Sequence, residues 1–156
     1  MGAFEARLGE LGIDLPDVVP PVAAYVPALI DGSLVYTAGQ LPMVSGELPA
    51  TGKVGDGHGL VPADDAQALA RTATLNALAA VRSVIGSLDR ITRIVKVTGF
   101  VASDPAFTGQ PGVVNGASLL LGEIFGDAGK HARSAVGVAV LPLDAPVEIE
   151  LIVAFE

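Results

Sequence analysis

The chain has 156 residues, enough for one full hydrophobic core and short for two domains, so a single domain over residues 1–156 is expected. Apolar residues make up 51% of it and aromatics only 4%, so the core must be built mainly from Ala, Val, Leu and Ile; the absence of Cys excludes disulfides, thiolate catalysis and cysteine-based metal sites. A formal net charge of -8 opposes a phosphate backbone, so no nucleic-acid partner is expected, although one arginine can still hold a small carboxylate.

Residues 1–22 read as an N-terminal arm, in which Phe4, Leu8 and Leu11 recur at helical spacing and predict a short amphipathic packing helix over 3–11. No basic segment is followed by a long apolar stretch there, and no run reaches the roughly 18 apolar residues of a membrane span, so the expected compartment is the cytoplasm, without membrane contact. After the Pro-rich stretch 16–27, Leu29-Ile30 and Leu34 to Thr37 flank Asp31-Gly32, the signal of a β-hairpin. Residues 45–65 are rich in Gly and Pro and read as a loop with one short strand at its start. Their glycines do not make a phosphate loop, because no Gly-Lys-Ser/Thr ending leads into a helix.

From Asp64 to Ile85 apolar residues at 69, 73, 77, 80 and 84 predict a long amphipathic helix, entered through Pro62 and ended by Gly86. Ile91 to Ala102 reads as a strand, Val113 to Phe125 as a second long helix, and Ser134 to Leu141 and Val147 to Phe155 as two final strands. The fold class is therefore α+β, a mixed sheet with two helices packed on one face. The strand 134–141 carries small and apolar residues on both faces, so a homo-oligomer is expected to cover the face that the helices leave open.

Charge stands out in these last strands. Arg133 shares a face with Ala135 and Gly137, whose small side chains leave room for a ligand or a neighbouring backbone, and its guanidinium can grip a carboxylate through two parallel hydrogen bonds. An interface salt bridge would explain it equally well. Glu148 and Glu150 share the face opposite Val147, Ile149 and Leu151; they could be solvated, or one of them could order a water. If the last two strands form a simple hairpin around Asp144, Glu148 lies opposite about residue 140, roughly 23 Å from Arg133 at 3.3 Å per residue, so a shared site would have to form between subunits.

Ala132-Arg133-Ser134, Leu141-Pro142 and Val147-Glu148-Ile149-Glu150 together resemble the C-terminal signature of the reactive intermediate deaminase family, RidA or YjgF. Tyr25 in Ala-Tyr-Val, Gly39 in Tyr-Thr-Ala-Gly-Gln-Leu-Pro and Asn115 in Val-Val-Asn-Gly extend the likeness over about 23–155. The resemblance implies a chorismate-mutase-like homotrimer with ligand clefts between subunits. It implies hydrolysis of enamine and imine intermediates, of the 2-aminoacrylate type, to 2-keto acids and ammonia, without a cofactor. Arg133 would bind the substrate carboxylate and Glu148 position the water; Gly39 and Ala135 would offer backbone groups, and Tyr25 and Asn115 would line or brace the cleft.

The chain departs from the family pattern at Ala38, where a serine is common, at Ala135, where a cysteine is common, and in the longer loop at 45–65. Loss of the hydroxyl at 38 bears on substrate preference more than on reaction type. His58 and His131 are the only histidines, so a His-pair nuclease would need two distant residues to converge. The alternative to an enzyme is a non-catalytic trimer that binds a small carboxylate, which would need Arg133 and not Glu148.

Overall fold

In the computed structural model, which describes residues 2–21 and 23–156, the apolar periodicities resolve into helices α1 (Ala3–Glu10), α2 (Ala63–Ile85) and α3 (Gln110–Phe125) and strands β1 (Ala28–Asp31), β2 (Leu34–Thr37), β3 (Ile91–Ala102), β4 (Ala132–Val138) and β5 (Val147–Phe155). The strands form one sheet in the order β1-β2-β5-β3-β4. Only β3 and β4 run parallel, with α3 as their crossover; the other neighbours are antiparallel. The expected α+β architecture, a mixed sheet with α2 and α3 on one face, is the observed one.

Period-two alternation decides which side chains reach the helices. Val147, Ile149, Leu151 and Val153 of β5 and Val97 and Val101 of β3 are buried beneath α2 and α3. Asp64 and Asp65 lie at the positive end of the α2 dipole and Arg82 at its negative end, while Gly86, at φ 89°, ends the helix in a conformation that a side chain would strain. The buried α2 face carries Ala66, Ala70, Ala73, Ala77 and Ala80, and this low relief lets α3 come close. At Gly116 of α3 an added Cβ would overlap the Gln67 carbonyl oxygen of α2, so backbone meets backbone.

The arm helix packs as expected, by a device outside its own sequence. Asp89 accepts hydrogen bonds from the backbone N–H groups of Gly2 (2.8 Å), Phe4 (2.9 Å) and Glu5 (3.0 Å), capping α1 from a distance, and Glu5 in return accepts from Leu88 N–H at 2.9 Å. Burial raises the Asp89 pKa, but these backbone donors outweigh it and hold the carboxyl below its ordinary value. Phe4 meets Phe125 edge to face at 4.9 Å.

Three expectations are corrected. The last two strands do not form a hairpin, because β3 lies between β4 and β5. The loop 45–65 holds no short strand at its start: Val44 and Glu47 make a single bridge across a turn with positive φ at Ser45 and Gly46, and Val54 bridges Val61 and Ser103. The strand at 134–141 instead runs 132–138, because its partner β3 ends at Ala102 and Ser103 N–H closes the ladder on the Val138 carbonyl.

Candidate functional site

Glu148 lies on the sheet face away from the helices, at the floor of a cavity of about 510 Å³. Tyr25, Ala38 and Gly39 line the same cavity, together with Val19, Pro20, Leu41, Met43 and Leu143. The strand register explains this convergence. Beyond β2 the chain makes one more bridge to β5, Gln40 and Ile149 exchanging hydrogen bonds of 2.8 and 3.0 Å, which puts Gly39 and Leu41 on the Glu148 face, and the Glu148 side chain lies over Gly39. A Cβ at Gly39 would overlap the Glu148 carboxylate, so the glycine leaves the space in which that carboxylate sits. The next residues are held by Asn76, buried on α2, whose amide donates to the Leu41 and Met43 carbonyls at 3.0 Å each.

Glu148 is half-buried, and its carboxyl is raised above the ordinary value, first by desolvation and then by repulsion from Glu150, two residues along the same face. It makes no hydrogen bond or salt bridge among the described residues. A partly desolvated carboxylate without a fixed donor is suited to accept a proton or to hold a water.

Arg133 belongs to a second cluster. Its strand register pairs it with Val97, so its side chain points to the helix side of the sheet, at the β4 edge. There Nη1 donates to Asn115 Oδ1 at 2.7 Å and to Ser118 Oγ at 3.2 Å, both on α3. The Ser118 hydroxyl meets His131 Nε2 at 2.9 Å, and His131 Nδ1 meets the Gly129 carbonyl at 2.6 Å. If Nδ1 carries the proton for that carbonyl, Nε2 accepts from Ser118, whose oxygen then receives the arginine. The chain of bonds fixes one side of the guanidinium and leaves Nε and Nη2, which make no hydrogen bond among the described residues, for a side-on grip on a carboxylate. Arg133 forms no salt bridge among the described residues either.

Ala135 follows on the same face of β4 and packs on the core, while the space beside Gly137 is filled by Gln110 and Ser103. The small-residue face therefore accommodates the chain's own side chains there, rather than a ligand or a neighbouring backbone. As the sheet's edge strand, β4 keeps outward-facing backbone groups available.

The seven expected site residues thus fall into two groups: Tyr25, Ala38, Gly39 and Glu148 around the cavity, and Asn115, Arg133 and Ala135 at the β4 edge. Glu148 is level with Phe100 and, one strand further, with Val136, three residues from Arg133. Two strand spacings across and three residues along separate them by about 14 Å, on opposite faces of the sheet. The distance expected from a hairpin was wrong, yet the groups remain apart within one chain. Asn76, Ser118, Leu143 and Met43 were not singled out from sequence; Leu143, apolar within a Pro-flanked loop that no core periodicity absorbs, was the readable signal.

Fold and site define an α+β protein of chorismate-mutase-like type with a cavity of small-molecule size. The chain belongs to the family described as "YjgF/chorismate_mutase-like, putative endoribonuclease", whose model matches residues 5–155. It is 40% identical over 153 residues to Protein TCP17 of Trypanosoma cruzi, covering 97% of this chain and 94% of that one. Among solved structures it is similar to the protein Atu1372 of unknown function from Agrobacterium tumefaciens, with 46% identity, a TM-score of 0.89, and coverage of 99% of this chain and 93% of that one. E. coli TdcF with bound serine is 28% identical, with a TM-score of 0.61 and coverage of 90% and 93%.

Proposed function

We propose that this protein hydrolyses reactive enamines and imines of the 2-aminoacrylate type to 2-keto acids and ammonia, in clefts shared between the subunits of a homotrimer. The observation that carries this reading is a pair of half-buried charges, Arg133 and Glu148, each without an oppositely charged partner among the described residues and too far apart to serve each other in one chain. A second copy supplying its Arg133 edge to the Glu148 cavity completes a site in which a ligand carboxylate neutralises the arginine. The open sheet face has the character of such a contact, since Leu29, Tyr36 and Val136 are exposed on it.

In the reaction the enamine first tautomerises to the imine. The Arg133 guanidinium, braced by Asn115 and Ser118, holds the substrate carboxylate and so fixes the imine carbon. Glu148 takes a proton from water as the oxygen adds to that carbon and returns it to nitrogen, giving a carbinolamine; it then passes the hydroxyl proton to the same nitrogen as the C–N bond breaks, so that ammonia leaves and the carbonyl forms. The Gly39 backbone and the β4 edge at Ala135 offer polar groups to the intermediate. The reaction needs only water and side chains.

A second reading, carboxylate binding without chemistry, is favoured by one observation: a family member, TdcF, has been seen with bound serine. Both readings require Arg133, and only the enzyme requires Glu148. The test is to generate 2-iminopropanoate in place with an amino-acid oxidase and follow keto-acid release. The expected result is acceleration by the parent protein and its loss in Glu148→Gln, with carboxylate binding retained; binding without acceleration selects the second reading. Light scattering should give three times the 15.7 kDa chain mass, and a single-chain mass would sink the shared cleft.

A further inference from the structure

Four residues of the α-helices carry a hydroxyl, and three of them, Thr72, Thr74 and Ser83 on α2, donate it to a carbonyl three or four residues back in the same helix, at 3.3, 2.8 and 2.7 Å. A helical hydroxyl does this when nothing else competes for it. The fourth, Ser118 on α3, makes no such bond among the described residues. Its oxygen stands between His131 Nε2 and Arg133 Nη1, at 2.9 and 3.2 Å.

The far side of the imidazole fixes the direction of these bonds. His131 Nδ1 lies 2.6 Å from the Gly129 carbonyl, which can only accept, so Nδ1 carries the proton of the neutral ring and Nε2 is left as an acceptor. Gly129 cannot drift from the ring, because it is pressed on α3: an added Cβ there would overlap the Leu121 carbonyl oxygen. Ser118 therefore gives its single proton to His131 and turns a lone pair toward Arg133.

That lone pair decides how the guanidinium is held. Nη1 has two protons, one for Asn115 Oδ1 at 2.7 Å and one for Ser118. A planar group held by one bond can swing about it, whereas two acceptors fix its plane. Asn115 and Ser118, three residues apart, supply both from one face of α3. Nε and Nη2 lie in the same plane, and a carboxylate bound through two parallel bonds must lie in it too.

Resting on the deaminase reading above, we propose that His131 is a positioning residue: through Ser118 it sets the plane in which Arg133 holds the substrate carboxylate. It touches neither the substrate nor the reacting atoms. Without its acceptor nitrogen, the Ser118 hydroxyl turns back to the Val114 carbonyl, four residues earlier, as the α2 hydroxyls do, and Arg133 pivots on Asn115 alone. A tilted fork misplaces the imine carbon, and a displacement smaller than 1 Å should lower kcat/KM by about 10-fold.

The experiment compares the parent with His131→Phe, which keeps a ring without nitrogen, with Ser118→Ala and with the double variant, after urea unfolding has shown which of them fold. On 2-iminopropanoate generated in place, each single variant should lose about 10-fold in kcat/KM, and the double variant should lose no more than Ser118→Ala, because a relay can be broken only once. In ¹⁵N NMR the parent should show His131 protonated on Nδ1 and separate signals for the two Arg133 Nη1 protons, which merge in either single variant. An Nε2–H tautomer, Arg133 signals unchanged in His131→Phe, an unchanged rate in that variant, or losses that multiply to about 100-fold in the double variant would each overturn the assignment. Should His131→Phe not fold, the parent tautomer and the Arg133 signals of Ser118→Ala make the same decision. If no imine is turned over, the deaminase reading fails, while the guanidinium signals, which need no ligand, still decide the relay.

Discussion

Gly39→Ala separates catalytic geometry from folding. The Gly39 backbone lies outside the left-handed region, so alanine can adopt it without strain, and its smaller unfolded-state entropy favours the fold by about 0.4–1 kcal/mol. The added methyl meets the Glu148 side chain, with Cδ at 2.7 Å and Cγ at 3.1 Å where ordinary contact begins near 3.4 Å, and it overlaps the nearer carboxylate oxygen. What must give way is the end of a flexible side chain, so the fold is expected to hold within about 1 kcal/mol of the parent. The carboxylate must retreat by roughly 1 Å, and a misplacement of that size in a reacting group costs on the order of 100-fold in rate. Expected, then, are an unfolding midpoint in urea close to the parent's and a kcat on 2-iminopropanoate lower by about two orders of magnitude. A variant that unfolds like the parent and keeps the parent rate would refute the role given to Glu148 and the geometry that places it.

Arg133→Lys should leave the oligomeric state unchanged but lose about 30-fold to 1000-fold in kcat/KM, because an ammonium cannot reproduce the planar grip that Nε and Nη2 offer; steady-state kinetics read this directly. As the proposed base Glu148 would work only when ionised, and its raised pKa should set the acid limb of the rate profile above the ordinary glutamate value. Glu150→Gln removes the repulsion that contributes to this shift, so the limb should move to lower pH while staying above that of a solvated glutamate, since burial remains the larger cause. Gly116→Ala, which drives a methyl into the Gln67 carbonyl, should destabilise the protein by about 1–3 kcal/mol in denaturant titrations with little change in KM.

Periodicity proved a good guide to elements and a poor one to neighbours. The strands 91–102 and 147–155 and the helix ending at Ile85 were legible because their apolar repeats run unbroken to a clear stop such as Gly86. The start of α3 was not, because Pro111 and Gly112 look like breakers although proline suits a first helical turn. Alternation also tells which side chains share a face but not which strand lies alongside, so the insertion of β5 between β2 and β3 was hidden. Of the site, the charged residues could be read from the C-terminal motif. The cavity walls could not, since Val19, Met43 and Leu143 come from three irregular segments brought together only by long-range contacts such as the Asn76 amide.

The strand order carries a consequence for biosynthesis. β5, the latest of the five strands to leave the ribosome, is the middle one, and β2 and β3 reach each other only through it. Until it emerges the nascent chain holds two separate pieces, a β1-β2 hairpin and a β3-α3-β4 unit, each presenting an unpaired edge and uncovered apolar surface. Chaperone dependence and aggregation should therefore concentrate in the interval before β5 emerges, and ribosome-bound chains exposed only as far as Val138 should be far more protease-sensitive than chains in which β5 has cleared the tunnel.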